Sequence, residues 1–118
     1  MKRRILIVED ESLIALFISE VLETEGFEVV GLCQTVSQAL AQLAVPDCCD
    51  AAVLDASLRN ESALPVAKAL VALGIPFVVA SGYNLRQLPE ELAAAPIVAK
   101  PVNTGDLIGR LQRILSTG

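Results

Sequence analysis

The sequence predicts an α/β domain with a doubly wound, five-stranded parallel sheet. Short apolar runs recur along the chain: Ile5-Leu6-Ile7-Val8, Ala51-Ala52-Val53-Leu54, Phe77-Val78-Val79-Ala80 and Ile97-Val98-Ala99. Aliphatic runs of this length, separated by helix-like segments, fit strands buried on both faces. Each run also ends on polar chemistry: Glu9-Asp10, Asp55, Ser81 and Lys100-Pro101 in turn. In such a sheet the carboxyl ends of the strands face one crevice, where ligands bind. Three carboxylates, one hydroxyl and one ammonium are therefore expected to converge at one edge. That set suits a hard cation and a phosphoryl group.

The elements follow in order. Residues 3–8 read as the first strand. Residues 11–25 read as a helix, with Leu13, Phe17 and Val21 at helical spacing and Gly26 at its end. Residues 27–32 are the second strand. The next helix, 35–44, carries Val36, Leu40 and Leu43 on one face and is closed by Pro46. Residues 51–55 are the third strand. A helix over 64–73 is expected to bury Val66, Leu70 and Leu73, and Gly74 ends it. Pro76 opens the fourth strand. Pro89 interrupts any helix over 84–92. Residues 97–99 are the fifth strand, and Asn103 or Thr104 caps a last helix bearing Leu107, Leu111 and Ile114. The expected strand order is 2-1-3-4-5, which places its crevice between strands 1 and 3.

The bulk properties bound the function. At 118 residues, one domain spanning 1–118 is expected. The hydrophobic content of 53% is high for a soluble chain, and a sheet covered on both faces accounts for it. No apolar stretch approaches a membrane span, and Glu9-Asp10-Glu11 cuts short the run behind Lys2-Arg3-Arg4, so a secretory signal is not expected. The net charge of -5 argues against direct nucleic-acid binding. With no histidine, a His-ligated zinc site is impossible. Three cysteines, two of them adjacent at Cys48-Cys49, read as reduced thiols in a cytoplasmic protein. The phosphate-cradling glycine patterns of nucleotide-binding folds are absent.

Asp10 and Asp55 would end neighbouring strands. Two carboxylates about 4 Å apart repel by about 4 kcal/mol at an effective dielectric of 20. Mg²⁺, which takes oxygen ligands and keeps several waters, would offset this, and Lys100 would offset part of it. Each residue alone has a plainer reading. Glu9 and Asp10 could serve the helix N-terminus behind them. Ser81 could be a turn residue, and Lys100 a solvated charge. Together, four polar strand ends in one sheet are hard to assign to capping.

These residues carry a resemblance. Ile7-Val8-Glu9-Asp10-Glu11, Leu54-Asp55, Ser81 and Lys100-Pro101, in this order and at these spacings, resemble bacterial two-component response-regulator receiver domains over the whole chain. The resemblance implies the flavodoxin-like (βα)5 fold of CheY. It implies that Asp55 accepts a phosphoryl group from the phosphohistidine of a sensor histidine kinase or phosphotransfer protein. It further implies that Asp10, Asp55 and the backbone carbonyl of Ser57 hold Mg²⁺, with Glu9 helping through water. Ser81 would bond a phosphoryl oxygen, and Lys100 would pair with Asp55 and then with the phosphoryl group.

The chain also departs from the common pattern. Residues 56–63 lack the usual Pro and Gly after the phosphoacceptor, Ile97 stands where Tyr or Phe is usual, and Gly82-Tyr83 follow Ser81. Leu58-Arg59-Asn60-Glu61-Ser62 and the stretch from Pro76 to Tyr83 look like a subgroup of small, often stand-alone receivers. That subgroup is linked with HWE-type histidine kinases and stress signalling. Such a chain would signal by switching its docking to a protein partner or by draining phosphoryl groups from a kinase. It would catalyse only its own phosphorylation and dephosphorylation. Tyr83 and residues 84–92 are the segment expected to reorder. A receiver that docks without phosphorylation is one alternative. An Asp-nucleophile phosphatase is another, although its usual second Asp is replaced by Ser57.

Overall fold

A computed structural model gives the fold and describes residues 2–58, 61–82 and 90–116. The elements run β1 (Arg4–Val8), α1 (Ser12–Thr24), β2 (Glu28–Cys33), α2 (Val36–Leu43), β3 (Ala51–Asp55), β4 (Ser57–Leu58), β5 (Glu61–Ser62), α3 (Leu64–Leu73), β6 (Phe77–Ser81), α4 (Glu90–Ala93), β7 (Ile97–Ala99) and α5 (Thr104–Ser116). Five strands form one parallel sheet in the order β2-β1-β3-β6-β7. This is the expected order, once the small ribbon β4–β5 is set aside.

Strand residues alternate between two core layers, as a pleated sheet requires. Leu6, Val8, Ala52, Leu54 and Val79 face the layer with Ala39 of α2, Leu70 of α3 and Leu92 of α4. Ile5, Ile7, Val53, Val78 and Val98 face the layer with Ile18 and Leu22 of α1 and Leu111 of α5. Ile5 to Val8 and Ala51 to Asp55 are buried throughout, which explains their unbroken apolar runs. Gly74 ends α3 in the left-handed conformation at φ 70°, where a side chain would be strained. Asn103 caps α5 by accepting from the Asp106 amide at 2.9 Å.

Three helical stripes differ from the expected ones. In α1 the buried residues are Ala15, Ile18, Ser19 and Leu22, whereas Leu13 is 81% and Phe17 52% exposed. In α3 the buried residues are Val66, Ala67 and Leu70; Leu73 is exposed. In α2, Ala39 takes the buried place and Leu40 is exposed. Helices with apolar residues on several faces offer more than one stripe, and contact with the sheet selects among them. Of the segment expected to reorder, Tyr83 and residues 84–89 lie outside the described residues. Glu90–Ala93 is helical, and Leu92 is fully buried.

Strand β2 carries a β-bulge. Ile5 pairs with Val29 and Leu6 with Gly31, leaving Val30 as the extra residue. A Cβ on Gly31 would stand 3.2 Å from Leu6 Cδ1 and 3.5 Å from Gln42 Cδ. Gly31→Val is therefore expected to lower stability by about 1–3 kcal/mol through overpacking, measurable by urea unfolding.

Candidate functional site

The chain folds so that β1, β3, β6 and β7 end together, which places Glu9, Asp10, Asp55, Ser81 and Lys100 at one sheet edge. Glu9, Asp10 and Asp55 each bring a carboxylate oxygen to within 4.8 Å of the others. Glu9, Asp55 and Ser81 are buried, and Asp10 is half-buried. Lys100 Nζ donates to Asp55 Oδ2 at 2.7 Å and stands 3.5 Å from Glu9 Oε1. The Lys100 backbone amide donates to the Ser81 carbonyl at 3.1 Å, which ties the end of β7 to the end of β6. The Lys100-Pro101 peptide is cis.

Electrostatics follow from this crowding. Burial, partly opposed by the Glu11 amide that donates to Glu9 Oε2, pushes the Glu9 carboxyl from 4.5 up to about 7. The neighbouring Asp10 and Asp55 push it in the same direction. Partial burial of Lys100 works against its charge, but the hydrogen bond and charge of Asp55, then those of Glu9, outweigh this and raise its pKa. The Lys100 ammonium thus faces a cluster of three carboxylates, Glu9, Asp10 and Asp55. The donors are hard oxygens, the set that binds Mg²⁺ or Ca²⁺ rather than a soft metal. The arrangement therefore fits a divalent cation on chemical grounds.

The ribbon β4–β5 stands directly beside Asp55. The Ser57 amide donates to Asp55 Oδ1 at 3.2 Å, so each oxygen of Asp55 has a donor. A cleft opens beside Asp55, lined by Ile14, Phe17 and Ile18 of α1, by Pro101 and Val102, and by Asp55, Ser57, Ser81 and Lys100. All six residues expected at the site, Glu9, Asp10, Asp55, Ser57, Ser81 and Lys100, thus occupy one region. The apolar wall from α1 was not foreseen. Its signal was the excess of apolar residues in Leu13-Ile14-Ala15-Leu16-Phe17-Ile18 over what one stripe needs.

The profile of the response regulator receiver domain matches residues 5–112. The chain belongs to that family. This receiver is 32% identical over 120 residues to the transcriptional regulatory protein PdtaR of Mycobacterium tuberculosis. The match takes in 97% of the receiver and 57% of PdtaR, so the chain spans little more than half of that relative's length. The solution structure of SdrG from Sphingomonas melonis Fr1 is similar at a TM-score of 0.81 and 38% identity, covering 97% of both chains. PhyR from Brucella abortus superposes at a TM-score of 0.84 and 28% identity, with 99% of the receiver covering 49% of PhyR. Among the described residues, no helix is long and apolar enough to cross a membrane. Cys33, Cys48 and Cys49 are free thiols in the layer on the α2 and α3 side.

Proposed function

We propose that this receiver accepts a phosphoryl group on Asp55 in a Mg²⁺-dependent transfer from a phosphohistidine protein, and that the change in charge alters its docking to a protein partner. The observation that carries this reading is the Lys100–Asp55 contact of 2.7 Å beside the cluster of Glu9, Asp10 and Asp55. An Asp55 carboxylate oxygen attacks phosphorus as the bond from phosphorus to the imidazole nitrogen breaks, and the electron pair leaves with the imidazole. Mg²⁺, held by Asp10, Asp55 and the Ser57 carbonyl with Glu9 nearby, would screen the charge that gathers on the phosphoryl oxygens. Lys100 exchanges its carboxylate partner for a phosphoryl oxygen, and Ser81 supplies a hydroxyl to another. The product replaces one negative charge with about two.

The similarity to SdrG supports a phosphorylated rather than a degenerate receiver. A structure of the BeF3-activated conformation of SdrG from Pseudomonas melonis Fr1 matches at 37% identity and a TM-score of 0.78. Phe17, which lines the cleft, and the exposed Leu13 and Leu16 of the same helix offer the apolar surface that the phosphohistidine donor, an HWE-type kinase in this reading, would cover. In this reading the receiver works in the cytoplasm, docking to its partner. Incubation with acetyl phosphate tests the reading. Intact mass should gain one phosphoryl group with Mg²⁺ and none with a chelator or in Asp10→Ala. A gain that ignores Mg²⁺ would reject the metal-assisted route.

A further inference from the structure

Within 56–63, where this chain departs from the usual receiver pattern, residues 56–58 and 61–63 pair as a small ribbon. Ser57 pairs with Ser62 and Leu58 with Glu61, antiparallel. The Ala63 amide donates to the Ala56 carbonyl at 3.1 Å, and the Ala56 amide donates to Ala80 of β6 at 2.9 Å. Ser62 Oγ accepts from the Leu64 amide at 3.1 Å, joining the ribbon to the start of α3. Leu58 is fully buried in the layer that holds Ala63, Val66 and Leu70, although Ser57, Glu61 and Ser62 beside it are exposed.

The register has a directional consequence. Opposed residues in an antiparallel pair alternate between exchanging both backbone hydrogen bonds and exchanging none. The Ala63-to-Ala56 bond flanks the Ser57–Ser62 pair, which makes that pair the kind that exchanges none. The amide and carbonyl of Ser57 therefore both point away from Ser62, to the same side. The amide is observed to end on Asp55 Oδ1 at 3.2 Å, so the carbonyl lies on the side of the acid cluster.

The geometry points to Leu58 as a positioning residue: buried in the core, it fixes the β4–β5 ribbon so that the Ser57 backbone is held toward the cation site. The ribbon then does by strand pairing and one buried anchor what the usual loop would do with Pro and Gly. This inference rests on the Mg²⁺ site proposed above. Leu58 itself touches no reacting group and acts through Ser57.

Calorimetric titration of the full chain with Mg²⁺ tests it, using Leu58→Ala, Leu58→Met and, as a control, Leu70→Ala, which removes an equally buried side chain of the same layer. Groups that orient metal ligands typically change affinity about 10–100-fold when removed. Leu58→Ala should weaken Mg²⁺ about tenfold, Leu58→Met should restore most of the affinity, and Leu70→Ala should stay within about twofold despite a similar fall in melting temperature. Equal weakening in Leu58→Ala and Leu70→Ala would reduce the effect to general destabilisation and overturn the assignment. Should Leu58→Ala not fold, Glu61→Pro decides. It removes a ladder amide at an exposed position, and unchanged Mg²⁺ affinity there would overturn the inference. A wild-type chain that takes up no Mg²⁺, and behaves like Asp10→Ala, would instead remove the cation site and this inference with it.

Discussion

Asp55→Asn is expected to abolish phosphoryl incorporation from acetyl phosphate while leaving the fold intact. The amide has nearly the shape of the carboxylate but lacks the charge and the nucleophilic oxygen pair. Lys100 keeps a second carboxylate, since Glu9 Oε1 already stands 3.5 Å away. Removing the Asp55 charge also relieves one of the causes that push the Glu9 carboxyl up. Stability should therefore change little, and the loss should be confined to chemistry. Intact mass would show no adduct in the variant under conditions that fully modify the wild type. An adduct that persists would place the phosphoacceptor elsewhere.

The second large effect is on pH and stability, and it comes from Glu9. Its folded pKa of about 7 lies above the ordinary value of 4.5. Between those values the folded chain holds a proton that the unfolded chain has released. Stability is therefore greatest near the lower value and declines as pH rises through the window, by up to about 3 kcal/mol for this shift. Urea unfolding at pH 5 and pH 8 in a chelator should show the decline, and Glu9→Gln should flatten it. A ligand at ten times its dissociation constant adds about 1.4 kcal/mol. Mg²⁺ should thus recover more at pH 8, where no proton has to leave, than at pH 5. Equal slopes in wild type and Glu9→Gln would exclude Glu9 as the source.

The strand ends were readable because burial on both faces leaves little choice of residue. Ile5 to Val8 or Ala51 to Leu54 could hardly be anything but central strands, and the polar residue that follows marks where each strand leaves the core. The strand order 2-1-3-4-5 was expected as a common doubly wound order, and the five parallel strands follow it. The faces of α1 were less legible. Six consecutive apolar residues, Leu13 to Ile18, satisfy any helical stripe, and only contact with the sheet selects Ala15 and Ile18 while leaving Leu13 and Phe17 outside. The β4–β5 ribbon was invisible for a different reason. Two-residue strands carry no period, and one buried leucine among polar neighbours looks like a loop. Its pairing is a tertiary fact, set by the Ala56 and Ala63 backbones meeting over the end of β6.

The bulge in β2 bears on what this chain does in a crowded cell. β2 is an outer strand, and its free backbone could recruit another molecule and seed a growing fibre. Val30 and Gly31 break the even spacing that an incoming strand must match, and Glu28 adds a charge at the same rim. The extra residue in β2 thus makes one of the two outer edges of the sheet a poorer template for a further strand.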